Sequence, residues 1–430
     1  MKTEPKKTFL SALEAAQELG VEVETIYAYV SRGILHSESS GSKDRSRRYR
    51  REEVERLLLQ REEKLNPGKT AKTALTFGQP VLESSISMIE NSSLYYRGRN
   101  AETLSETSNF ESVCDLLWEN EGVSRFDSEW PSWDRSSLYC YAELRDRPLI
   151  DRCRILLGIS EYGDETSFLR TQDALRKTGV RIVRLLASFA SGSKPTGGRS
   201  VSETLWYSWR EGAGKGKRAV PFELKKKVKP SSEDEKAIRL IEAALILSAD
   251  HELNVSSFTA RCVASSDASL YQAVVAGLGA LSGNRHGLLT EKAIELLEEY
   301  DPKRKDPKSL LVEKLKRGET IPGFGHPFYK NGDPRAKKLT ELSESFFPKN
   351  REFLSAKILL EEAVRLLGDY PTIDAGLALV CRTLKLPKGA GLALFAIGRC
   401  AGWIAHSMEQ YASDRLIRPR ARYVGILPGR

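Results

Sequence analysis

Near the start of the chain, apolar residues recur at the spacing of an amphipathic helix. They appear every three residues from Leu10 to Leu19, which places them on one helical face. Ser11 followed three residues later by Glu14 is typical of a capping box, and Gly20 favours the end of the helix. The pattern therefore predicts a short capped helix.

A second helical pattern and a strand pattern follow this helix. Residues 22–35, EVETIYAYVSRGIL, predict a helix that ends near Gly33. Residues 35–50, LHSESSGSKDRSRRYR, predict two strands joined by a turn at Gly41, and residues 51–63 have a helical period again. This order of two helices, a strand pair and a helix is typical of a winged helix-turn-helix.

The same patterns predict the domain organisation. We assign the winged helix-turn-helix domain to residues 1–65 and a linker to residues 66–74, where NPGKTAKT has no hydrophobic period. Beyond residue 74 most apolar patterns are helical, separated by Gly, Pro and charged loops. No unit of roughly 20–50 residues repeats. The body of the chain is therefore predicted to be mainly α-helical.

Composition narrows the functional classes. The 430 residues suffice for two or three domains, and no apolar run approaches the ~18 residues of a membrane-spanning helix. The start, MKTEPKKTFL, lacks the apolar stretch of a secretory signal. Six Cys without CxxC spacing indicate reduced thiols rather than disulfides or a zinc site. We expect a cytoplasmic protein without a metal, and the net charge of +9 permits a polyanionic partner.

Basic and polar side chains in the N-terminal domain suit contact with DNA. Polar residues of the second helix could face a major groove, and the arginine-rich wing could neutralise phosphates. An isolated basic run is more often a solvated turn, but this one lies where a wing is expected. The residues predicted to contact DNA are Thr25, Tyr27, Arg32, Arg45, Arg47, Arg48 and Arg50.

The segment from Leu10 to Leu35, followed by RRYRREEVERL at residues 47–57, resembles the MerR-like helix-turn-helix family, which includes small excisionase-type modules. The resemblance covers about 50 residues. It implies contact with DNA, although such modules also serve as protein-interaction units.

The body of the chain places isolated polar side chains among small or apolar neighbours. They are His251 in SADHELNVSSFTAR, His286 in SGNRHGLL, His326 and Arg335 in GFGHPFYKNGDPRA, and Asp374 in YPTIDAGL. A carboxylate can remove a proton α to a carbonyl, and a neutral imidazole can stabilise the resulting enolate. Guanidinium groups can hold a polycarboxylate by paired hydrogen bonds. These residue types suit carbon–carbon bond formation at a thioester.

Four stretches in order resemble citrate synthase. They are LYYRGRNAETLSETSNFESVCDLLW, ADHELNVSSFTAR, GFGHPFYKNGDPRA and FAIGRCAGWIAHSMEQYASDRLIRPRARYVG. The resemblance runs from about residue 75 to 427. It implies condensation of acetyl-CoA with oxaloacetate to give citrate and CoA, without a cofactor, because acetyl-CoA is a substrate.

The resemblance implies a role for each polar residue. Asp374 would remove the methyl proton, His286 would stabilise the enol, and His326 would polarise and protonate the oxaloacetate carbonyl. The residues implied to bind oxaloacetate are His251, Arg335, Arg399 and Arg418. Arg418 would reach the site across a homodimer interface. His406, in GWIAH, is predicted to be a structural helix residue.

The resemblance also implies a two-domain helical fold. The large domain would comprise residues 75–289 and 396–430, and the small domain residues 290–395. The predicted partners are oxaloacetate, acetyl-CoA or another short acyl-CoA, a second copy of the chain, and DNA, with no membrane.

Two departures from the family pattern keep alternatives open. The chain reads GNRHGLLTE where the family usually has GPLHGG, continued in many members by ANE. Pro327 and Phe328 stand where many members have GHRVY. The alternatives are a 2-methylcitrate synthase that uses propionyl-CoA, and a DNA-binding regulator that senses oxaloacetate or acyl-CoA with little or no turnover.

Overall fold

The computed structural model describes residues 9–31, 34–39, 47–51, 53–54, 57, 82–144, 146–194, 198–212, 222–224, 229–421 and 423–425. The chain divides into two compact units, residues 1–83 and residues 84–430. Each unit has an apolar core of its own.

The N-terminal unit combines two helices with a three-stranded antiparallel sheet. Strands β1 (Phe9–Ser11), β3 (Arg47–Arg50) and β2 (Ser37–Ser39) pair in that order, and α1 (Ala12–Leu19) and α2 (Val23–Ser31) lie between β1 and β2 in the chain.

Both predicted helices and both wing strands are present. Ser11 and Glu14 form the predicted capping box, and Gly20 ends α1 with a φ of +63°. The wing turn at Gly41 and most of the third predicted helix lie outside the described residues. Strand β1 was not predicted, because three residues are too few to show an alternating pattern.

The second unit begins with a small sheet and two capped helices. Strands β4 (Ser87–Glu90), β5 (Ser93–Tyr96) and β6 (Arg99–Asn100) form an antiparallel meander. Asn100 caps α3 (Ala101–Thr107) and Asn109 caps α4 (Phe110–Leu117), each through its side-chain oxygen. The helical patterns beyond residue 74 agree with these two helices but do not predict the meander.

The rest of the second unit is almost entirely helical. Its further helices are α5 (Arg135–Glu143), α6 (Leu149–Ser160), α7 (Gln172–Ser191), α8 (Val201–Gly212), α9 (Ser232–Ser248), α10 (Val255–Ala264), α11 (Leu270–Leu281), α12 (Leu288–Glu299), α13 (Pro307–Lys316), α14 (Pro334–Phe346), α15 (Arg351–Leu367), α16 (Ile373–Leu384) and α17 (Ala390–Ser413). Two-residue strands β7 (Ser193–Lys194) and β8 (Phe222–Glu223) pair in parallel. The prediction of a mainly α-helical body is confirmed.

Helix α17 lies at the centre of the main core. It is buried on nearly every face and packs against α7, α9, α10 and α11. The ring of Trp403 is fully buried where Gly277 of α11 leaves room for it. Trp403 is therefore a core residue, and the polar groups on α17 are held in a rigid setting.

Helix α16 contributes to two apolar cores. Leu377 and Val380 pack into the main core, whereas Ala378 and Leu379 pack into a second core built from α12, α13, α15 and α16. Asp374 lies in the first turn of this helix. The carboxylate is therefore positioned by a helix that is fixed on two sides.

Within the described part of the chain, no helix combines the length and the apolar character that crossing a bilayer requires.

Candidate active site

Two histidines and a tyrosine form a compact aromatic cluster. The rings of His251 and His326 lie 5.2 Å apart, and the ring of Tyr329 lies 4.7 Å from that of His326. The Tyr329 hydroxyl is 2.9 Å from His251 Nε2. The structure thus brings together two imidazoles that are separated by 75 residues in the sequence.

The loop that carries His326 is joined to the segment that precedes Asp374. Thr372 N donates to Gly323 O at 2.8 Å, and Gly325 N donates to Tyr370 O at 3.0 Å. Gly323 has a φ of +84°, and a Cβ there would lie 3.0 Å from the Cβ of Ala375. Glycine at this position allows the loop to pack directly on the start of α16.

Asp333 fixes a second connection to α16. It caps α14 by accepting from Arg335 N, and it pairs with the Arg335 guanidinium at 2.9 Å through Nε and 2.7 Å through Nη2. The same carboxylate accepts from Ile373 N at 2.9 Å. Asp333 and Arg335 are both buried. One carboxylate therefore orders a guanidinium and the helix end that presents Asp374.

Both oxygens of the Asp374 carboxylate have hydroxyl partners. Thr290 Oγ1 donates to Oδ1 at 2.5 Å, and Thr372 Oγ1 lies 3.3 Å from Oδ2. Burial raises the pKa of Asp374, while the Thr290 hydroxyl and the charge of Arg335 oppose this rise. A carboxylate in such surroundings is a stronger base than one in water.

His286 lies two residues before the start of α12, and its ring has Ser256 Oγ as a partner, 2.9 Å from Nε2. Asn254 Oδ1 accepts from Ser256 N and Ser257 N, each at 3.1 Å. The Ser256 hydroxyl itself donates to Asn254 Oδ1 at 2.7 Å, so Asn254 orders the side chain that contacts His286.

Arg399 is buried in the middle of α17. Its Nε donates to Ser248 O at 2.8 Å, and its guanidinium lies 4.9 Å from the Phe395 ring centre. Its buried Nη2 makes no hydrogen bond with the described residues. Burial lowers the pKa of Arg399 to about 10, and nearby Asp250 and Asp374 favour its charge. A buried donor without a partner is suited to a ligand carboxylate.

All three imidazoles favour the neutral form. Burial, together with the charge of Arg399, lowers the pKa of His286 to about 4. Burial and Arg335 likewise lower the pKa of His326 to about 4. Burial and the two arginines place the pKa of His251 well below its ordinary value. Near neutral pH these rings act as hydrogen-bonding groups without a charge.

Arg418 is placed apart from this cluster. It lies in the exposed segment after α17 and makes no hydrogen bond or ion pair with any described residue. The buried His406 belongs to α17, with Nε2 lying 3.3 Å from Asp250 Oδ1. This fits the structural role expected for His406, since Asp250 directly precedes His251.

The described DNA-contact candidates lie on α2 and β3. Tyr27 is exposed, Thr25 is half-buried, and Arg47 and Arg50 are exposed on the wing strand. Glu38 of β2 pairs with Arg50 at 2.8 Å and Arg48 at 3.6 Å. Arg32 and Arg45 lie outside the described residues.

Sequence reasoning missed several residues that hold the site together. The missed residues are Ser256, Thr290, Tyr329, Asp333 and Thr372. Only Asp333 carried a local signal, because Asp before Pro334 and Arg335 is a common helix start. The contacts of Ser256, Thr290 and Tyr329 join segments that are distant in the sequence, and the short-range contact of Thr372 with Asp374 has no distinctive sequence pattern.

The arrangement combines a half-buried carboxylate base, neutral imidazoles and buried guanidiniums. The carboxylate can remove a proton from a weak carbon acid, while an imidazole N–H can stabilise the enolate oxygen. The guanidiniums can bind an anionic partner beside it. The cluster is therefore suited to joining an enolised acyl group to a carboxylate-bearing electrophile.

Comparisons with known proteins agree with this geometry. The family model "Citrate synthase, C-terminal domain" matches residues 75–420, and a helix-turn-helix model matches residues 9–62. The chain is 29% identical to citrate synthase from Haloferax volcanii over 370 residues, with 81% of this chain and 94% of that protein covered. It is 28% identical to 2-methylcitrate synthase 1 from Corynebacterium glutamicum, with 79% and 91% covered.

Solved structures show the same similarity. The crystal structure of citrate synthase from Thermotoga maritima matches with a TM-score of 0.62 and 28% identity, covering 82% of this chain and 96% of that chain. The similarity therefore extends over nearly the whole second unit.

Proposed function

The chain belongs to the citrate synthase family, and we propose that it condenses acetyl-CoA with oxaloacetate to give citrate and CoA. The reaction uses acetyl-CoA as a substrate and is proposed to need no cofactor. The observation that carries the proposal is the hydrogen-bonded, half-buried Asp374 carboxylate, which lies on the same helix start that the His326 loop and Asp333 contact.

The first step is enolisation of the acyl thioester. Asp374 takes a proton from the methyl carbon, and His286 donates its Nδ1–H to the thioester oxygen. Support comes from the raised pKa of Asp374 and from Ser256, the partner of Nε2, which would hold the proton on Nδ1 by turning its hydroxyl from Asn254 to the ring. A neutral donor suits an enolate because it stabilises the developing charge without fully transferring its proton.

The second step joins the enol carbon to the keto carbon of oxaloacetate. His326 polarises and protonates the keto oxygen, and the carboxylates are bound by His251, Arg335 and Arg399. The buried, unpaired Nη2 of Arg399 supports this role. Water then cleaves the citryl thioester and releases CoA.

A conformational change and a second subunit complete the proposal. We assign residues 75–289 and 396–430 to a large domain and residues 290–395 to a small domain that closes over the substrates. The separate apolar core of α12, α13, α15 and α16 supports this division. Arg418, which is exposed in one chain, is proposed to complete the site of a partner chain in a homodimer.

The proposal is tested by thiol release from acetyl-CoA in the presence of oxaloacetate. Asp374→Asn should lower kcat by at least about 1,000-fold, because the amide cannot accept the proton. Oxaloacetate binding, followed by calorimetry, should change little. Full turnover by Asp374→Asn, or no turnover by the wild-type enzyme, would refute the proposal.

The identity of the acyl donor has a second candidate besides acetyl-CoA. The relative named 2-methylcitrate synthase is about as similar as the citrate synthases, so propionyl-CoA is the alternative donor. The ratio of kcat/KM for acetyl-CoA to that for propionyl-CoA decides between them. A slow chain whose DNA binding responds to oxaloacetate or an acyl-CoA would instead indicate a sensing regulator.

We also propose that the N-terminal unit binds DNA through α2 and the wing strand. Its match to a helix-turn-helix model and the exposure of Tyr27, Arg47 and Arg50 support this proposal. Phosphates would compete with Glu38 for Arg48 and Arg50, because Glu38 already pairs with both. The six free cysteines fit a reducing compartment, and we propose the cytoplasm.

Mobility shifts with genomic fragments at graded salt test DNA binding. Arg47/Arg48→Ala should weaken binding at least about tenfold and flatten its salt dependence, whereas Glu38→Gln should tighten it. Arg304/Arg365→Ala is the control, since it removes two exposed charges from the second unit. Equal binding by all four proteins would point to a protein-interaction module instead.

A further inference from the structure

Thr290 differs from four other helical threonines of this chain in the direction of its hydroxyl. The hydroxyls of four helical threonines donate to the carbonyl four residues earlier in their own helices. These are Thr107, Thr259, Thr340 and Thr383. The Thr290 hydroxyl instead donates to Asp374 Oδ1 on another helix, at 2.5 Å. This contact is the shortest hydrogen bond of the candidate base.

Packing fixes the rotamer that makes this contact. Thr290 is fully buried in the first turn of α12, and its methyl group lies 3.0 Å from the position that a Cβ on Gly391 would occupy. Because Gly391 of α17 has no side chain, the methyl fits against that helix. The hydroxyl is then left to face α16.

The contact also links the two groups proposed for enolisation. Thr290 lies four residues after His286, in the segment where Leu289 N donates to His286 O at 3.0 Å. A short, ordered stretch of chain therefore carries the His286 imidazole at one end and, through Thr290 at the other end, contacts the Asp374 carboxylate. On the opposite side Thr372 is a weaker partner, at 3.3 Å from Oδ2.

We propose that Thr290 is a positioning residue that holds the Asp374 carboxylate in the orientation and the ionised form required to remove a proton from the acyl thioester. The proposal rests on the proposed role of Asp374 as the base. Thr290 stands at the position where many family members have Asn in the ANE motif.

The physical reason is the balance of forces on a buried carboxylate. Burial favours the protonated acid, which cannot act as a base, and a short hydrogen bond favours the ion. The charged groups around Asp374 are Arg335 and Asp333 from the start of α14 and Arg399 from α17. A substitution at Thr290 leaves these charges in place, so any change reports on the hydroxyl alone.

The test compares Thr290→Val, which keeps the shape and loses the donor, with Thr290→Ser, which keeps the donor. The pH dependence of thiol release is measured at saturating oxaloacetate. In Thr290→Val the acidic limb of kcat/KM for the acyl-CoA should move upward by about one pH unit, and kcat should fall about tenfold. Thr290→Ser should retain the wild-type limb, and the KM for oxaloacetate should be unchanged in both.

Thr383→Val is the matched control. Thr383 is a buried threonine of α16 whose hydroxyl donates to Leu379 O within that helix. Its valine variant removes a buried hydroxyl without touching Asp374, so it should keep the wild-type pH profile. An identical profile in Thr290→Val and wild type would overturn the proposal.

A titration that needs no turnover separates this proposal from the proposed function. The infrared carbonyl band of protonated Asp374, identified by its loss in Asp374→Asn, is followed against pH in wild type and Thr290→Val. A midpoint about one unit higher in the variant supports the role of Thr290, and equal midpoints refute it. Failure of the wild-type enzyme to turn over would count against the proposed function and leave this comparison valid.

Discussion

The ring of His286 has Ser256 as its hydrogen-bond partner. Ser256 lies 2.9 Å from Nε2, and Asn254 orders the turn that presents it. Ser256→Ala removes this contact, so the neutral ring can carry its proton on either nitrogen. We expect kcat to fall about 10- to 100-fold, with little change in the KM for oxaloacetate.

Ser407→Ala is a suitable control for this serine, because the Ser407 hydroxyl is buried and donates to Trp403 O within α17. Steady-state rates for both variants decide the matter. Equal losses in the two would reduce Ser256 to a packing role.

A second residue-scale prediction concerns a buried acid remote from catalysis. Glu242 accepts from Phe110 N and from Ser202 Oγ, and burial together with the charge of Glu111 raises its pKa to about 7. The folded state therefore holds this proton more tightly than the unfolded state. The resulting stability is complete below the ordinary pKa of about 4.5 and is lost as pH rises through about 7.

The expected result is a melting temperature that falls by a few degrees between about pH 5 and 8 in the wild type and changes less in Glu242→Gln. Glu235→Gln, an exposed change on the same helix, should preserve the wild-type slope. Calorimetric or fluorescence melting curves measure this directly. Parallel curves for Glu242→Gln and wild type would contradict the raised pKa.

At the scale of elements, sequence patterns predict the long helices well and the short strands poorly. The period that predicts α9 and α17 spans many residues, so local exceptions do not obscure it. The strands of the β4–β6 meander have two to four residues, and their pairing depends on neighbours distant in sequence. Tertiary contacts determine where these strands form, and no local sequence pattern encodes such contacts.

The same limit applies to the site. His286, His326 and Asp374 were identified from the residues and the family resemblance together. Ser256 and Thr290 were not identified, because each acts through a distant partner. Ser256 contacts His286, 30 positions away, and Thr290 contacts Asp374, 84 positions away. A hydroxyl in a helical segment has no distinctive sequence signature, since most such hydroxyls bond their own helix.

The packing of α11 against α17 gives an element-scale prediction. A Cβ added at Gly277 would lie 2.8 Å from the fully buried Trp403 ring, whereas one added at Gly279 would meet no atom within 4 Å. Gly277→Ala should therefore lower stability by about 1–3 kcal/mol. Gly279→Ala should be neutral or stabilising by up to about 1 kcal/mol. Thermal melts of both variants, side by side, check the pair; a stable Gly277→Ala would mean that the two helices separate easily.

At the scale of the whole molecule, one chain joins two compact units with different proposed partners. The N-terminal unit carries an arginine-bearing strand, and the second unit carries a buried or half-buried cluster of imidazoles, guanidiniums and a carboxylate. The exposed Arg418 is the one proposed oxaloacetate-binding group that this cluster does not contain. Whether Arg418 contributes to oxaloacetate binding therefore depends on whether two chains assemble into a dimer.

Mixing two variants, one impaired and one inactive, tests whether Arg418 acts across a dimer. Arg418→Ala should lower kcat/KM for oxaloacetate about 100-fold through loss of a charge-assisted carboxylate contact, and Asp374→Asn should abolish turnover. When equal amounts are mixed and allowed to exchange, half of the dimers contain one chain of each kind. In such a dimer, the site with an intact Asp374 receives Arg418 from the partner chain. Activity should then return to about a quarter of the wild-type rate. If Arg418 served the site of its own chain, every site in the mixture would lack one of the two residues, and no activity would return.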